Sequence, residues 1–456
     1  MPPLSMLQER RRVAMRLKAA GVDSAQTDSK ARLFESCAAI LLANGLRQTS
    51  HATAFFIPAR IEVLGKHTDY AGGCSLVAAA QRCLCLVSVP RNDNILRIFD
   101  ASQNRHITIQ LGTDRRIPRG HWANYPATVA RRLERDFAIG FVGADVGMAS
   151  DIPAAAGLGS SSTLVTGFFL ALAAANDLAA HHRYRRNIKS MEDLAEYLGA
   201  VESGSAFGTL QADKGVGTLG GSQDHTAILC SKAGCVRMYS YRPIRLLRTI
   251  EFPADYVFVI ASSGHAARKT GEARPKYNLA SRLCRFGVRE WNNVTGRTDP
   301  HLAAALASGP DAEETLRDIL SSCESDTFTP QQLLKRFEHF LAEDWQILPT
   351  AVHAFARGHM SEFGRQAARS QKLAETLLGN QVPETTFLVN SAVNLGAEAA
   401  SSFGAGYGGS VWAIVKTEKA AEFARNWQVD YCERFPENTL KSEFFLNRPG
   451  PAAFEL

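Results

Sequence analysis

Three short glycine-rich stretches lie far apart in this chain of 456 residues, at 59–73, 156–163 and 404–409. The first begins as a mostly apolar run, residues 61–64, and breaks at Gly65. Lys66, His67, Thr68 and Asp69 follow at once, with Tyr70 behind them and Gly72 and Gly73 closing the turn. A strand that ends in a polar turn can hold a small polar ligand on a rigid scaffold. The second stretch joins a strand-like run, 141–149, to a strong helix former, 164–176. Strand, Gly/Ser turn, helix is an arrangement that cradles phosphate, because turn N–H groups and the helix N-terminal partial charge converge on one point. No Gly-Lys-Ser/Thr follows, so it is not a Walker loop, and it is not a dinucleotide fingerprint. A serine-capped helix entry built of small residues accounts for it equally well when it is taken alone. The third stretch, with Gly404, Gly406, Gly408 and Gly409, precedes a strand-like run at 410–415.

Length calls for more than one core, and a boundary is expected between 237 and 255, dividing the chain into 1–240 and 241–456. The hydrophobic fraction of 45% is that of a globular protein. Lys and Arg outnumber Asp and Glu by 51 − 45 = 6. They are scattered in small clusters at 10–12, Arg115-Arg116 and 183–186, without the basic stripe and interleaved aromatics of a nucleic-acid binder. Nine cysteines lack zinc-ligand spacing and read as free thiols of a reducing compartment. Residues 1–18 have no signal-peptide core, and no run of about 18 apolar residues is present, so a cytoplasmic protein with no membrane partner is expected. Nothing in the sequence fixes an oligomeric state.

Residues 7–46 carry apolar positions at helical spacing and read as one or two surface helices. Strands are expected at 55–64 (interrupted by Pro58), 83–89, 96–99, 106–111, 226–230, 256–261 and 410–415. A helix opens after Trp122, another spans 190–203 with Glu202 near its end, and helical patterns dominate 279–378. Periodicity supports mixed α and β structure.

Three glycine-rich motifs in this order resemble those of the GHMP kinases, and within them the galactokinase branch. Residues 59–73 resemble the signature Gly-Arg-x-Asn-Leu-Ile-Gly-Glu-His-Thr-Asp-Tyr-Asn-x-Gly, 153–162 the ATP-phosphate loop, and 403–409 the C-terminal glycine loop. The resemblance spans about 55–415. It implies an α+β fold in two lobes, ribosomal-S5-like and then ferredoxin-like, with ATP between them. It also implies a sugar-1-kinase, a phosphotransferase acting on a small-molecule sugar with ATP and Mg²⁺. Asp224 matches the catalytic carboxylate and Arg60 the arginine that orients it. His67, Asp69 and Tyr277 match sugar contacts. Trp122, Gly157, Leu158, Gly159, Ser160, Ser161 and Ser162 match the nucleotide site, with Trp122 stacking on adenine and Ser161 and Glu202 on the metal.

The departures bear on the substrate. Lys66 stands where galactokinases carry the Glu that recognises the hydroxymethyl group at C6, and Glu62 replaces a neutral Asn. One reading has Lys66 pairing with the C6 carboxylate of a uronic acid. The other has Lys66 pairing with Glu62 or solvent, the substrate remaining galactose or a close relative. Ser162 replaces an Ala of most active members, which keeps open a sugar and ATP sensor without catalysis. A family kinase for another small alcohol is the remaining alternative.

Overall fold

In the computed structural model, residues 1–112, 117–118, 120–137, 140–266 and 274–456 are described. The Arg115-Arg116 cluster and part of the polar loop after the strand at 256–261 lie outside them. Aromatic, β-branched and small residues fill β1 (Thr53–Leu64) and β2 (Cys74–Pro90), which pair antiparallel and are buried along almost their whole length. Pro58 does not interrupt β1. The register instead slips between Pro58 and Arg60, a bulge that absorbs the missing N–H and re-aims the strand. Before the slip Phe55 and Ile57 pack with the helices of the first lobe; beyond it Ala59, Ile61 and Val63 enter the core of the second.

β3 (Ile95–Asp100), β4 (Arg105–Gln110) and β5 (Ala144–Ser150) extend this sheet in the order β1-β2-β5-β3-β4, with β3 and β5 parallel. β6 (Cys235–Ser240) pairs with the far end of β2, and β7 (Arg245–Glu251) pairs with β6. β8 (Tyr256–Ser262), β9 (Ala399–Phe403), β10 (Ser410–Lys416) and β11 (Glu443–Asn447) form a second, antiparallel sheet in the order β11-β8-β10-β9. The chain then returns, and β12 (Phe454–Glu455) pairs with β1. The division expected at 240/241 therefore falls in the β6–β7 turn, inside the first sheet.

Helices cover both faces of the first sheet. Asn124–Phe137, Ser160–Ala175, Met191–Ser203 and Gln223–Cys230 supply one core, and Arg10–Ala19 and Thr27–Ala43 the other. The two leading helices are thus structural covers, with Phe34, Ala38 and Leu41 fully buried. Residues 226–230 form a helix rather than the expected strand. A short apolar run buried on all sides carries no period that separates the two, and Thr226 Oγ1 donates back to the Ser222 carbonyl at 2.8 Å to start the turn. In the second lobe, Arg274–Thr295, Ala312–Ser321 and Pro330–Leu341 make a helical subcore beside Tyr70 and Ala71. Cys83 and Cys85 face the same side of β2, sulfurs 3.7 Å apart, as free buried thiols. No helix among the described residues is long and apolar enough to cross a membrane.

Gly147 in β5 lets Thr27–Ala43 approach the sheet: a Cβ there would lie 2.4 Å from the Cys37 carbonyl oxygen and 3.1 Å from Leu41. Gly147→Val is expected to lower stability by about 1–3 kcal/mol through overpacking, read as a shift of the urea midpoint.

Candidate active site

Beyond the β1 bulge, Arg60 and Glu62 project from the face opposite Ile61 and Val63, because side chains alternate along a strand. Arg60 is 1% exposed and joins all three glycine-rich stretches. Its Nε donates to Asp224 Oδ1 at 2.6 Å, its backbone N–H to the Leu158 carbonyl at 3.1 Å, and its Nη1 to the Gly157 carbonyl. Its guanidinium lies over the Phe403 ring at 5.8 Å. A Cβ at Gly404 would come within 2.8 Å of the Gly157 carbonyl and 3.1 Å of Arg60 Nη2, so the third stretch needs glycine to close on the first two. Burial opposes the charge on Arg60, but Asp224 and then Glu62 favour it, and its pKa stands above the ordinary value.

Asp224 sits in the first turn of Gln223–Cys230. Ser162, at the start of Ser160–Ala175, donates from Oγ to Glu202 Oε2 at 2.9 Å and reaches Asp224 Oδ2 at 3.4 Å. Ser162, not Ser161, is therefore the serine beside Glu202. On one side of this cluster is a narrow pocket lined by Arg60, Glu62, His67, Asp69, Tyr277 and Asp224, among others. Asp69 accepts the Tyr70 N–H at 2.8 Å and the Gln223 N–H at 3.1 Å, and burial raises its pKa. His67, at φ 57°, stands 3.0 Å from the Tyr70 hydroxyl through Nδ1, with its ring 6.5 Å from that of Tyr277.

On the other side is a cavity of about 410 Å³ lined by Gly157, Gly159, Ser160, Ser161, Trp122 and Arg105, among others. The Arg105 guanidinium lies 4.7 Å over the Trp122 ring. Leu158 does not line it; its side chain enters the core of the second lobe. Gly409 lies against the phosphate turn, its Cα 3.6 Å from where a Cβ on Gly157 would stand, and accepts from Ser263 N–H at 2.9 Å. Gly406 and Gly408 pack on other loops, where a Cβ on Gly406 would strike the Asn380 carbonyl oxygen at 2.3 Å and one on Gly408 the His265 carbonyl oxygen at 2.6 Å.

Lys66 departs from expectation. It is 1% exposed, and its Nζ turns away from the pocket to donate to Ser401 Oγ at 2.7 Å and Ser370 Oγ at 3.1 Å. Ser370 in turn donates to Glu343 Oε1 at 2.9 Å, which also receives the Gly65 and Lys66 N–H groups at 2.8 and 3.2 Å. Burial lowers the Lys66 pKa, with Glu343 and Glu62 opposing that fall. Its ammonium is satisfied within the protein, Lys66 is not among the residues lining the narrow pocket, and its Nζ makes no hydrogen bond to Glu62. The pocket side of the loop belongs instead to Glu62, 3% exposed, whose carboxyl is pushed up to about 7 by burial against the pull of Arg60 and Lys66. Strand alternation from Arg60 was the signal that locates Glu62. Arg105 and the Thr218, Gly220 and Gly221 positions that also line the narrow pocket had no such strand signal, since tertiary packing brings them in.

The family description "GHMP kinases N terminal domain" matches residues 124–210, and "GHMP kinases C terminal" matches 351–430. The chain is 26% identical over 381 residues to a galactokinase of Chloroflexus aggregans, covering 83% of this chain and 87% of that one. It is 26% identical over 372 residues to a galactokinase of Halalkalibacterium halodurans, covering 81% and 85%. Its fold is similar to that of Lactococcus lactis galactokinase complexed with galactose, with a TM-score of 0.73 at 20% identity over 95% of this chain and 99% of that one.

Lys66→Met would leave the Ser370 and Ser401 hydroxyl oxygens without the ammonium that donates to them and Glu343 without its nearby cation. A loss of about 3–5 kcal/mol is expected, visible in thermal melts. Galacturonate binding, measured by calorimetry, should not weaken relative to galactose, because the Lys66 ammonium faces Ser370 and Ser401 and its loss only eases protonation of Glu62.

Proposed function

We propose, from the membership of this chain in the GHMP kinases on their galactokinase-like branch, that it transfers the γ-phosphoryl group of ATP to the anomeric hydroxyl of galactose or a close relative. The observation that carries this reading is the Arg60–Asp224 pair, standing between a pocket lined by Asp69 and His67 and a cavity lined by the Gly157–Ser161 turn. In this reading the sugar occupies the first and ATP the second, so the attacking oxygen and the γ-phosphorus meet beside Asp224.

Phosphoryl transfer asks mainly for positioning and charge stabilisation. The sugar O–H gives its proton to an Asp224 oxygen as the new O–P bond forms. The bond to the bridging β–γ oxygen breaks, and ADP carries away that electron pair. Arg60 holds Asp224 in place by a 2.6 Å charge-assisted bond. Asp69 and His67 have the acceptor and donor capacity to orient sugar hydroxyls, with Tyr277 at the rim. The N-terminus of Ser160–Ala175, with Gly159 at φ 82°, aims N–H groups at the cavity where the phosphates would sit.

Glu202 with the Ser161 and Ser162 hydroxyls are hard oxygen donors that fit Mg²⁺. Among the described residues no three His, Cys, Asp or Glu side chains gather as a metal cage. The ion would thus complete its shell with phosphate and water oxygens, as Mg²⁺ commonly does, and would neutralise charge on the phosphates.

ADP release over galactose, N-acetylgalactosamine, arabinose, galacturonate and glucuronate tests the reading; no sugar-dependent release with any of them overturns it. Asp224→Asn should keep ATP affinity and lose about 10²–10⁴-fold in kcat, and full turnover would remove Asp224 as the proton acceptor. Trp122→Ala should raise the KM for ATP about tenfold with the sugar KM unchanged.

A further inference from the structure

Four carboxyls, Glu62, Asp69, Glu202 and Asp224, line the narrow pocket against one guanidinium, Arg60. Three of them have their places taken up within the protein. Asp69 receives two backbone N–H groups, Asp224 receives Arg60, and Glu202 receives Ser162. Glu62 differs: its Oε1 is buried with no hydrogen-bond partner, on a residue 3% exposed. Its strand neighbours fix its direction, since Ile61 and Val63 are buried in the second lobe on the opposite face. An unsatisfied buried acceptor is costly, and a ligand donor placed against it recovers that cost. The cation of the same loop cannot serve, because Lys66 Nζ is committed to Ser370 and Ser401.

We propose that Glu62 is a specificity-determining residue of the sugar pocket, accepting a hydrogen bond from a sugar hydroxyl or ammonium group and excluding sugars that carry a carboxylate. This rests on the sugar-kinase reading of the site. An ionised carboxyl can only accept, so a hydroxyl or an ammonium satisfies Glu62 and a second carboxylate does not. A uronate would also add a fifth negative charge to a pocket whose one lining guanidinium is already paired. Like-charge juxtaposition is how a site rejects a near-isostere that attraction alone would admit.

The charge on Glu62 is itself adjustable. Arg60 on its own strand and Lys66 on the loop favour the ionised form, while burial, Asp224 and Glu343 oppose it, leaving the group near 7. The exclusion should therefore weaken as pH falls below about 7, where Glu62 takes up a proton while a uronate stays ionised.

The test is calorimetric binding of galactose, galactosamine and galacturonate to the full chain and to Glu62→Gln, at about pH 6 and about pH 8. The native chain should bind the first two at least about tenfold tighter than galacturonate at the higher pH, with a smaller gap at the lower. Glu62→Gln should bring the three within about threefold and abolish the pH dependence of the gap. Glu62→Asp, which keeps the charge but shortens its reach, should weaken galactose while still rejecting galacturonate. It also stands in should Glu62→Gln fail to fold. Equal weakening of all three sugars in Glu62→Gln, native preference for galacturonate, or no binding of any of the three overturns the proposal. ADP release is read separately: sugars bound with the stated preference but never phosphorylated overturn the kinase reading and leave Glu62 as the selector.

Discussion

The buried guanidinium of Arg60 is the point on which the two lobes and the site depend. It is held by Asp224, by the Gly157 carbonyl and by the ring face of Phe403, three groups from distant parts of the chain. Burying a charge is expensive unless every direction around it is answered. Here the answers come from the start of a helix, a glycine turn and the end of β9, so the fold must be complete before the arginine is stable. The same contacts set Asp224 between the two ligand spaces. Structural satisfaction and chemical positioning are one arrangement.

The second lobe fixes the polar loop after β1 by a different means. Ala342–Ile347 is a π-helical turn that widens the helix and presents Glu343 and Asp344 together. Glu343 receives the Gly65 and Lys66 N–H groups, and Asp344 receives the Cys74 N–H. Such turns interrupt helical pairing and occur often at functional sites. Burial raises the Asp344 pKa to about 6 against the pull of Cys74, so the folded chain takes up this proton more readily than the unfolded one and the ionised carboxylate costs stability as pH rises through that value.

Much of this was legible in the sequence, for physical reasons that differ by residue. Glycine stretches announce turns because few other residues tolerate them, and that put Gly157, Gly159 and Gly404 near one another in function before their contact was visible. Arg60, Asp69 and Asp224 followed from motif position. Residues 226–230 were misread as a strand because an apolar run buried on all sides shows no amphipathic period. Leu158 lies inside the phosphate-loop motif, yet its side chain belongs to the second lobe's core; a motif records backbone shape and does not say where each side chain goes. Ser162 was placed with the nucleotide by the same logic, although the first helical turn rotates it toward Glu202.

Lys66 and Glu62 carry the sharper lesson. In the sequence the lysine is the conspicuous charge, since it reverses the sign of the signature residue beside the sugar. Sign alone does not decide recognition; direction and partners do. Lys66 points into a nest of two hydroxyls backed by Glu343 and is spent on joining the lobes. Glu62, four residues earlier, shares a strand face with Arg60 and so must share its pocket. Relative to the signature the carboxyl has moved from the loop to the strand, where a neutral Asn stood, and the loop has become positive, while the carboxyl lines the pocket. A lysine at the loop position thus does not make the pocket electropositive. It stays acidic because strand geometry, rather than composition, chooses which of the two charges lines the pocket.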